Sequence, residues 1–221
     1  MSRVTFEDVK ANEAIRIYIK RADETLIAMG FTEHSFAHVG KCAQQAYEIL
    51  NTLGYEKRIC ELAQIAAYMH DIGNVINRED HAQSGAIMAF RILDQMGMPA
   101  DEISTVITAI GNHDESTAVP VNAVAAALIL ADKCDVRRSR VRNRDIASFD
   151  IHDRVNYAVE RSEMTLADDK TAVTLDLTID PKICPVMNYF EIFLGRMLLC
   201  RRAADYLNLK FKLIINGLDV M

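Results

Sequence analysis

The sequence has no tryptophan, and only four prolines and nine glycines among its 221 residues. So few turn formers exclude a collagen-like or linker-like chain. No apolar run is longer than Ala123 to Ala131, well short of the ~20 residues a helix needs to span a bilayer. The segment from Met1 to Asp8 lacks the apolar stretch of a secretory signal and already carries Glu7 and Asp8, so a soluble cytoplasmic protein is expected. The five cysteines, Cys42, Cys60, Cys134, Cys184 and Cys200, are odd in number and include no Cys-x-x-Cys pair. That excludes a disulfide framework and a thiolate zinc site. Small buried hydrophobes in a reducing compartment are the expectation for them.

Half of the residues are hydrophobic and a quarter are charged, enough apolar material for a domain core and too little charge for a disordered chain. The net charge of −6 is unevenly placed. Lys133 to Arg144 holds six cations against Asp135 alone, a local +5, which leaves −11 on the remainder. An acidic surface repels a nucleic-acid polymer, whereas one cationic patch suits a small polyanion such as a phosphorylated metabolite.

Helical periodicity dominates the first 136 residues. Thr5 with Asp8 forms a capping-box pattern that opens a helix running towards Gly30. Further helices are expected over 35–53 with Gly54 as its stop, over 57–71 with Gly73 as its C′ residue, and over 80–96, 100–112 and 121–136. The last of these is apolar nearly all round and therefore central. Beyond the arginine run, 150–161 reads as helix, 172–179 as strand, 185–207 as helix and 211–215 as strand. The expected architecture is mainly α. A helical domain occupies 1–149, and 150–221 is an α+β extension packed on it. Its strand–helix–strand element pairs internally or across a homodimer.

Five of the six histidines lie between positions 34 and 113. A single histidine at a helix end is more often a hydrogen-bonded structural residue than a ligand. The set carries more weight. His38, His70-Asp71, His81, His113 and Asp132 each fall at or beside a predicted helix end, and together they form a nitrogen and oxygen donor set without sulfur. Asp132 closes an apolar helix, where a carboxylate left without a cation or donors is costly. Such donors suit iron or manganese, with zinc, nickel and cobalt also compatible. No Gly-x-Ser-x-Gly elbow is present.

The segments beginning at His38 (His-Val-Gly-Lys-Cys-Ala) and Met69 (Met-His-Asp-Ile-Gly), followed by Asp132, resemble the HD-domain metal-dependent phosphohydrolase superfamily. The segment His81-Ala-Gln-Ser-Gly-Ala and His113 resemble its two-metal members, which include bacterial hydrolases of symmetrical dinucleoside tetraphosphates. The resemblance covers about 30–144 and implies an HD-domain helical bundle. It implies that His38, His70, Asp71 and Asp132 hold one divalent metal ion and that Asp71, His81 and His113 hold a second. Asp71 and His70 are then the catalytic residues, and a hydroxide bridging the metals attacks a nucleotide or other phosphate ester. Asn74 stands where many relatives have lysine, and the Gly-Tyr-Pro element of cyclic-dinucleotide phosphodiesterases is absent; both lower the expectation of a cyclic dinucleotide substrate.

Arg78, Lys133, Arg137, Arg138 and Arg140 are the candidate phosphate contacts, because guanidinium forks match phosphate oxygens; a solvated cationic face is their structural alternative. Cys42 is expected to pack. His34 either faces the pocket or is structural, and Asp114 either orients a histidine or caps a turn. Two other functions compete with hydrolysis: a non-catalytic, metal-stabilised binding or dimerisation module, and a di-iron oxygenase of the HD-domain type.

Overall fold

In the computed structural model, which describes residues 3–221, the Thr5–Asp8 capping box is formed in both directions. The helix it opens, α1 (Phe6–Ala11), is short. Asn12 adopts an extended backbone and accepts from the Ile15 amide, starting a second helix, α2 (Glu13–Ala28). A capping side chain thus divides what periodicity alone joins into one helix. There follow α3 (Phe36–Leu53), α4 (Lys57–Met69), a 3-10 turn over Ile72–Val75, α5 (His81–Gln95), α6 (Ala100–Gly111) and α7 (Ala123–Lys133). Ser35 caps α3, and Gly54 ends it in the left-handed conformation that glycine adopts without a Cβ penalty.

α3 packs on α4, α5 on α6 and α4 on α6, and the 3-10 turn lies against α2 and α5. Every residue of α7 from Val124 to Ala131 is buried. Each fully buried leucine or isoleucine contributes about 1.5–3 kcal/mol, so Leu128, Ile129 and Leu130 fix the helix that carries Asp132. Among the described residues, no helix is long and apolar enough to cross a membrane.

Gly73 is not a left-handed C′ residue. Its role is close approach. A Cβ at Gly73 would stand 2.0 Å from the His81 carbonyl oxygen and 2.5 Å from the Gly85 amide, and one at Gly85 would stand 3.2 Å from the His70 carbonyl oxygen. Two missing side chains therefore let the His70–Asp71 turn sit directly on the first turn of α5. Asp80, just before that turn, takes a left-handed backbone, φ 56°, which aspartate tolerates better than most residues.

The described residues form two compact units, the first ending at Asp132 and the second beginning at Lys133. The second unit holds α8 (Ile151–Ala158), β1 (Val159–Leu166), β2 (Ala172–Ile179), α9 (Val186–Tyr206), β3 (Lys210–Ile215) and β4 (Leu218–Asp219). The helix expected over 150–161 stops at Ala158, and the chain continues as β1. The sheet order is β1-β2-β3-β4. β2 and β3 run parallel, with α9 as the crossover that parallel pairing requires, while the outer pairs are antiparallel. In β2 the odd positions Val173, Leu175, Leu177 and Ile179 are buried. The first three lie opposite buried Phe211, Leu213 and Ile215 of β3. Tyr189, Phe193, Met197 and Cys200 are among the buried residues of α9, which contacts both strands.

Candidate metal centre

All six predicted ligands belong to the first unit and converge in it. His38 lies in the first turn of α3, His70 caps the C-terminus of α4 and Asp71 follows it. His81 opens α5, His113 follows α6, and Asp132 stands one residue before the end of α7. His38, His70, Asp71, His81 and His113 are buried, and the Asp132 side chain is 11% exposed.

Three of the rings are locked by the same device. The Nδ1 of His70, His81 and His113 meets the backbone carbonyl three residues upstream, of Ala67 (2.7 Å), Arg78 (2.9 Å) and Ile110 (2.6 Å). A carbonyl can only accept, so each Nδ1 carries the proton, and in the neutral ring Nε2 presents a lone pair. These lone pairs point at one another and at carboxylates. His81 Nε2 lies 3.2 Å from His113 Nε2. His70 Nε2 lies 3.2 Å from Asp71 Oδ2 and 3.7 Å from Asp132 Oδ1. His38 Nε2 lies 3.3 Å from Asp132 Oδ1 and 3.7 Å from Asp71 Oδ2.

Asp71 faces both halves of the cluster. Its Oδ2 is turned to His38 and His70, and its Oδ1, 3.7 Å from His81 Nε2, also accepts from Asn74 Nδ2 at 2.9 Å. His70 Nε2 and Asp71 Oδ2 are buried without a hydrogen-bond partner. Buried polar atoms are nearly always satisfied, so two acceptors facing each other at 3.2 Å mark a place for positive charge, met by a proton on His70 Nε2 or by a metal ion. Burial disfavours charge on both residues. The carboxylates of Asp71 and Asp132 nevertheless hold the His70 imidazole above its ordinary value, and His70 holds the Asp71 carboxyl well below its own. Four overlapping triads, His38–His70–Asp71, His38–Cys42–Asp132, His70–His113–Asp132 and Asp71–His81–His113, bring their donor atoms within 4.8 Å of one another. Apart from the Cys42 thiol these are nitrogen and carboxylate donors, able to hold divalent metal ions.

The surrounding residues hold this geometry. Cys42 donates its thiol to the Ala131 carbonyl at 3.6 Å, tying α3 to α7 beside the two ligands those helices carry. His34 stands edge-on to His38, its Nδ1 2.7 Å from the Thr32 carbonyl and its amide on Asp23. Asp114 accepts from Ser116 and lies 3.9 Å from His81 Nε2. Gly73 and Gly85 were not singled out from the sequence as parts of the site. The signal was available in Met69-His-Asp-Ile-Gly and Ser84-Gly85, but it reads as close approach only once both segments are known to touch.

The cationic candidates divide by unit. Arg78 comes to the centre: its Nη1 is 3.4 Å from His81 Nε2 and 3.3 Å from Asn74 Oδ1. Positive charge thus lies one hydrogen bond beyond the neutral Asn74, on a residue four positions along the chain. Lys133, Arg137, Arg138 and Arg140 belong to the second unit. There Arg137 and Arg140 both hold the buried Asp135, while Arg138 donates to the Tyr157 carbonyl and stacks over the Tyr157 ring.

Residues 35–137 match the family described as HD domain, a span that includes all six converging residues. Over 192 residues, 76% of this chain and 73% of the other, the chain is 24% identical to an uncharacterized protein of Methanocaldococcus jannaschii.

Proposed function

We propose, from the match of residues 35–137 to the HD domain family, that the protein is a metal-dependent phosphohydrolase and hydrolyses a small phosphate ester, a nucleotide foremost. The observation that carries the reading is the orphaned pair, His70 Nε2 and Asp71 Oδ2, buried between His38 with Asp132 on one side and His81 with His113 on the other.

His38, His70, Asp71 and Asp132 would hold one divalent ion. Asp71, His81 and His113 would hold the other, with Asp71 shared. Iron or manganese suits these donors best. Two such ions would supply a water that ionises near neutral pH and a positive field for the phosphoryl oxygens. The chain's own part is positional. The Nδ1 locks keep three rings in the tautomer that presents Nε2. Asn74 fixes the rotation of the Asp71 carboxylate by donating to its Oδ1 and to its backbone carbonyl. The burial of the rings strengthens every electrostatic contact in the site.

Arg78 is the proposed phosphate contact at the centre. Lys133, Arg137, Arg138 and Arg140 are proposed as further contacts. Their share is read from KM after replacement of the three arginines by alanine, which raises KM more than it lowers kcat if they bind substrate.

The test is elemental analysis of the purified protein, then a panel of nucleotides and phosphate esters with each metal added back anaerobically. Metal-dependent phosphate release supports the reading. Turnover that needs oxygen and iron replaces it with an oxygenase, and full metal occupancy without any turnover replaces it with a binding module.

A further inference from the structure

Arg78 holds His81 at both ring nitrogens. The His81 Nδ1–H donates to the Arg78 carbonyl at 2.9 Å, which leaves Nε2 as an acceptor, and the Arg78 Nη1 lies 3.4 Å from that Nε2. Arginine has no acceptor of its own, so this contact spends the His81 lone pair on a guanidinium N–H. The same Nη1 lies 3.3 Å from Asn74 Oδ1, whose amide nitrogen is bonded to Asp71. The guanidinium also stands 5.7 Å from the ring centre of Phe31, a residue 40% exposed. A metal ion ligated by His81 needs the same lone pair. The two uses exclude each other, and a guanidinium this close also repels a dication.

We propose that Arg78 holds the His81 lone pair in the metal-free chain, yields it when the second metal position fills, and turns its fork, along the Phe31 ring, to the phosphoryl oxygens of the substrate. This rests on the phosphohydrolase reading for its last step and on the His81–Arg78 geometry for the first two. The guanidinium has five N–H donors in a planar fork that matches a phosphate edge. Release from His81 therefore makes donors available at the centre once the ions that attract an anionic substrate are in place. Arg78 in this way couples occupancy of the second metal position to phosphate affinity.

The experiment titrates Mn²⁺ into chelator-stripped wild-type protein and Arg78→Met by calorimetry, then titrates inorganic phosphate into each Mn²⁺-loaded protein. In Arg78→Met, the second metal position should tighten about 5-fold to 10-fold, because a competing hydrogen bond and a like charge are gone. The first should stay within about 2-fold, as Arg78 touches none of its own ligands. Phosphate affinity of the loaded protein should fall about 10-fold or more. A metal isotherm that superimposes on the wild type, a weakened second position, or unchanged phosphate affinity overturns the proposal. The first position reports the fold, and if Arg78→Met does not fold, Arg78→Gln is read in the same way. Wild-type protein that binds no divalent metal defeats the phosphohydrolase reading itself. Wild-type protein that binds two ions, with a variant indistinguishable from it, defeats only the inference about Arg78.

Discussion

Two clusters of charged side chains are packed within the first unit, and they are built on opposite rules. In one, Arg58 of α4 donates to Glu61 at 2.6 Å and through Nε to Glu102 of α6 at 2.8 Å, with Nη2 also on Glu102. Arg3 adds a bond to Glu102, and Glu61 accepts from the Phe6 amide. Donors meet acceptors throughout, and the cluster ties the first turn of α1 to α4 and α6. In the other, lone pairs meet lone pairs, and two buried atoms have no hydrogen-bond partner. A closed network of ions supports a fold. An open one, in which buried acceptors face each other at the middle and Asn74 and Arg78 donate only at the edge, is unstable alone and is relieved by a positive charge. That contrast, more than the presence of histidines, separates a site from a structural cluster.

Breaking the open cluster should give the largest effect. Asp71→Ala removes the carboxylate common to both proposed metal positions. Phosphate release should fall by about 10³-fold or more, and metal content measured on the same preparation should drop sharply. Full metal content in this variant takes Asp71 out of the centre. Breaking the closed cluster should act on stability instead. Arg58→Met leaves Glu102 and Glu61 without their main cation and should cost about 3–5 kcal/mol in chemical denaturation, while metal stoichiometry at low temperature stays that of the wild type. A third change tests the contact that joins the His70–Asp71 turn to α5. Gly73→Ala forces a methyl into backbone atoms, and overpacking of this kind costs about 1–3 kcal/mol. Because the obstructing atom is the His81 carbonyl oxygen, the second metal position should weaken more than the first in a Mn²⁺ titration.

The six residues of the open cluster were readable in the sequence because each sits at a helix end, and helix ends are marked by caps, glycines and breaks in apolar periodicity. The long α9 and the alternating β2 were readable for the same reason: a buried face imposes a period. The misses lie where no period exists. β1 buries only Val159 fully and exposes or half-exposes the rest. Its sequence therefore lacks the apolar alternation of a strand: the helix expected over 150–161 takes in its first three residues, and no element is expected over 162–166. Asn12 divides α1 from α2 through one side-chain bond, and no composition shift announces it. Gly73 reads as a helix stop because glycine is common there; its actual task depends on a backbone 12 residues away in the chain, Gly85. The link from Arg78 to His81 and Asn74 is likewise a matter of side-chain direction within one turn.

The smallest expected effect is in pH, and it distinguishes the clusters by sign. In the closed one, the bond from Arg58 outweighs burial and holds the Glu102 carboxyl below its ordinary 4.5. A carboxyl held low adds stability that is complete above its ordinary value and is lost as pH falls through its folded value. In the open cluster Asp71 behaves in the same way, below 3.8. His70 does the reverse. Burial opposes its charge, but Asp71 and Asp132 hold it above 6.5, so its contribution is complete below 6.5 and is lost as pH rises through the folded value. Of these three groups, only His70 gives an alkaline limb. Metal ligation needs the neutral ring, so ions bind more tightly as that proton leaves. With chelator present, Tm should decline as pH rises above 6.5. With Mn²⁺ the decline should vanish, while Glu102, which touches no proposed ligand, keeps its share of the acid limb. Scanning calorimetry from the acid side of 4.5 to well above pH 6.5, with and without the metal, measures both limbs, and a flat chelated profile above pH 6.5 removes His70 as the group that divides the two clusters.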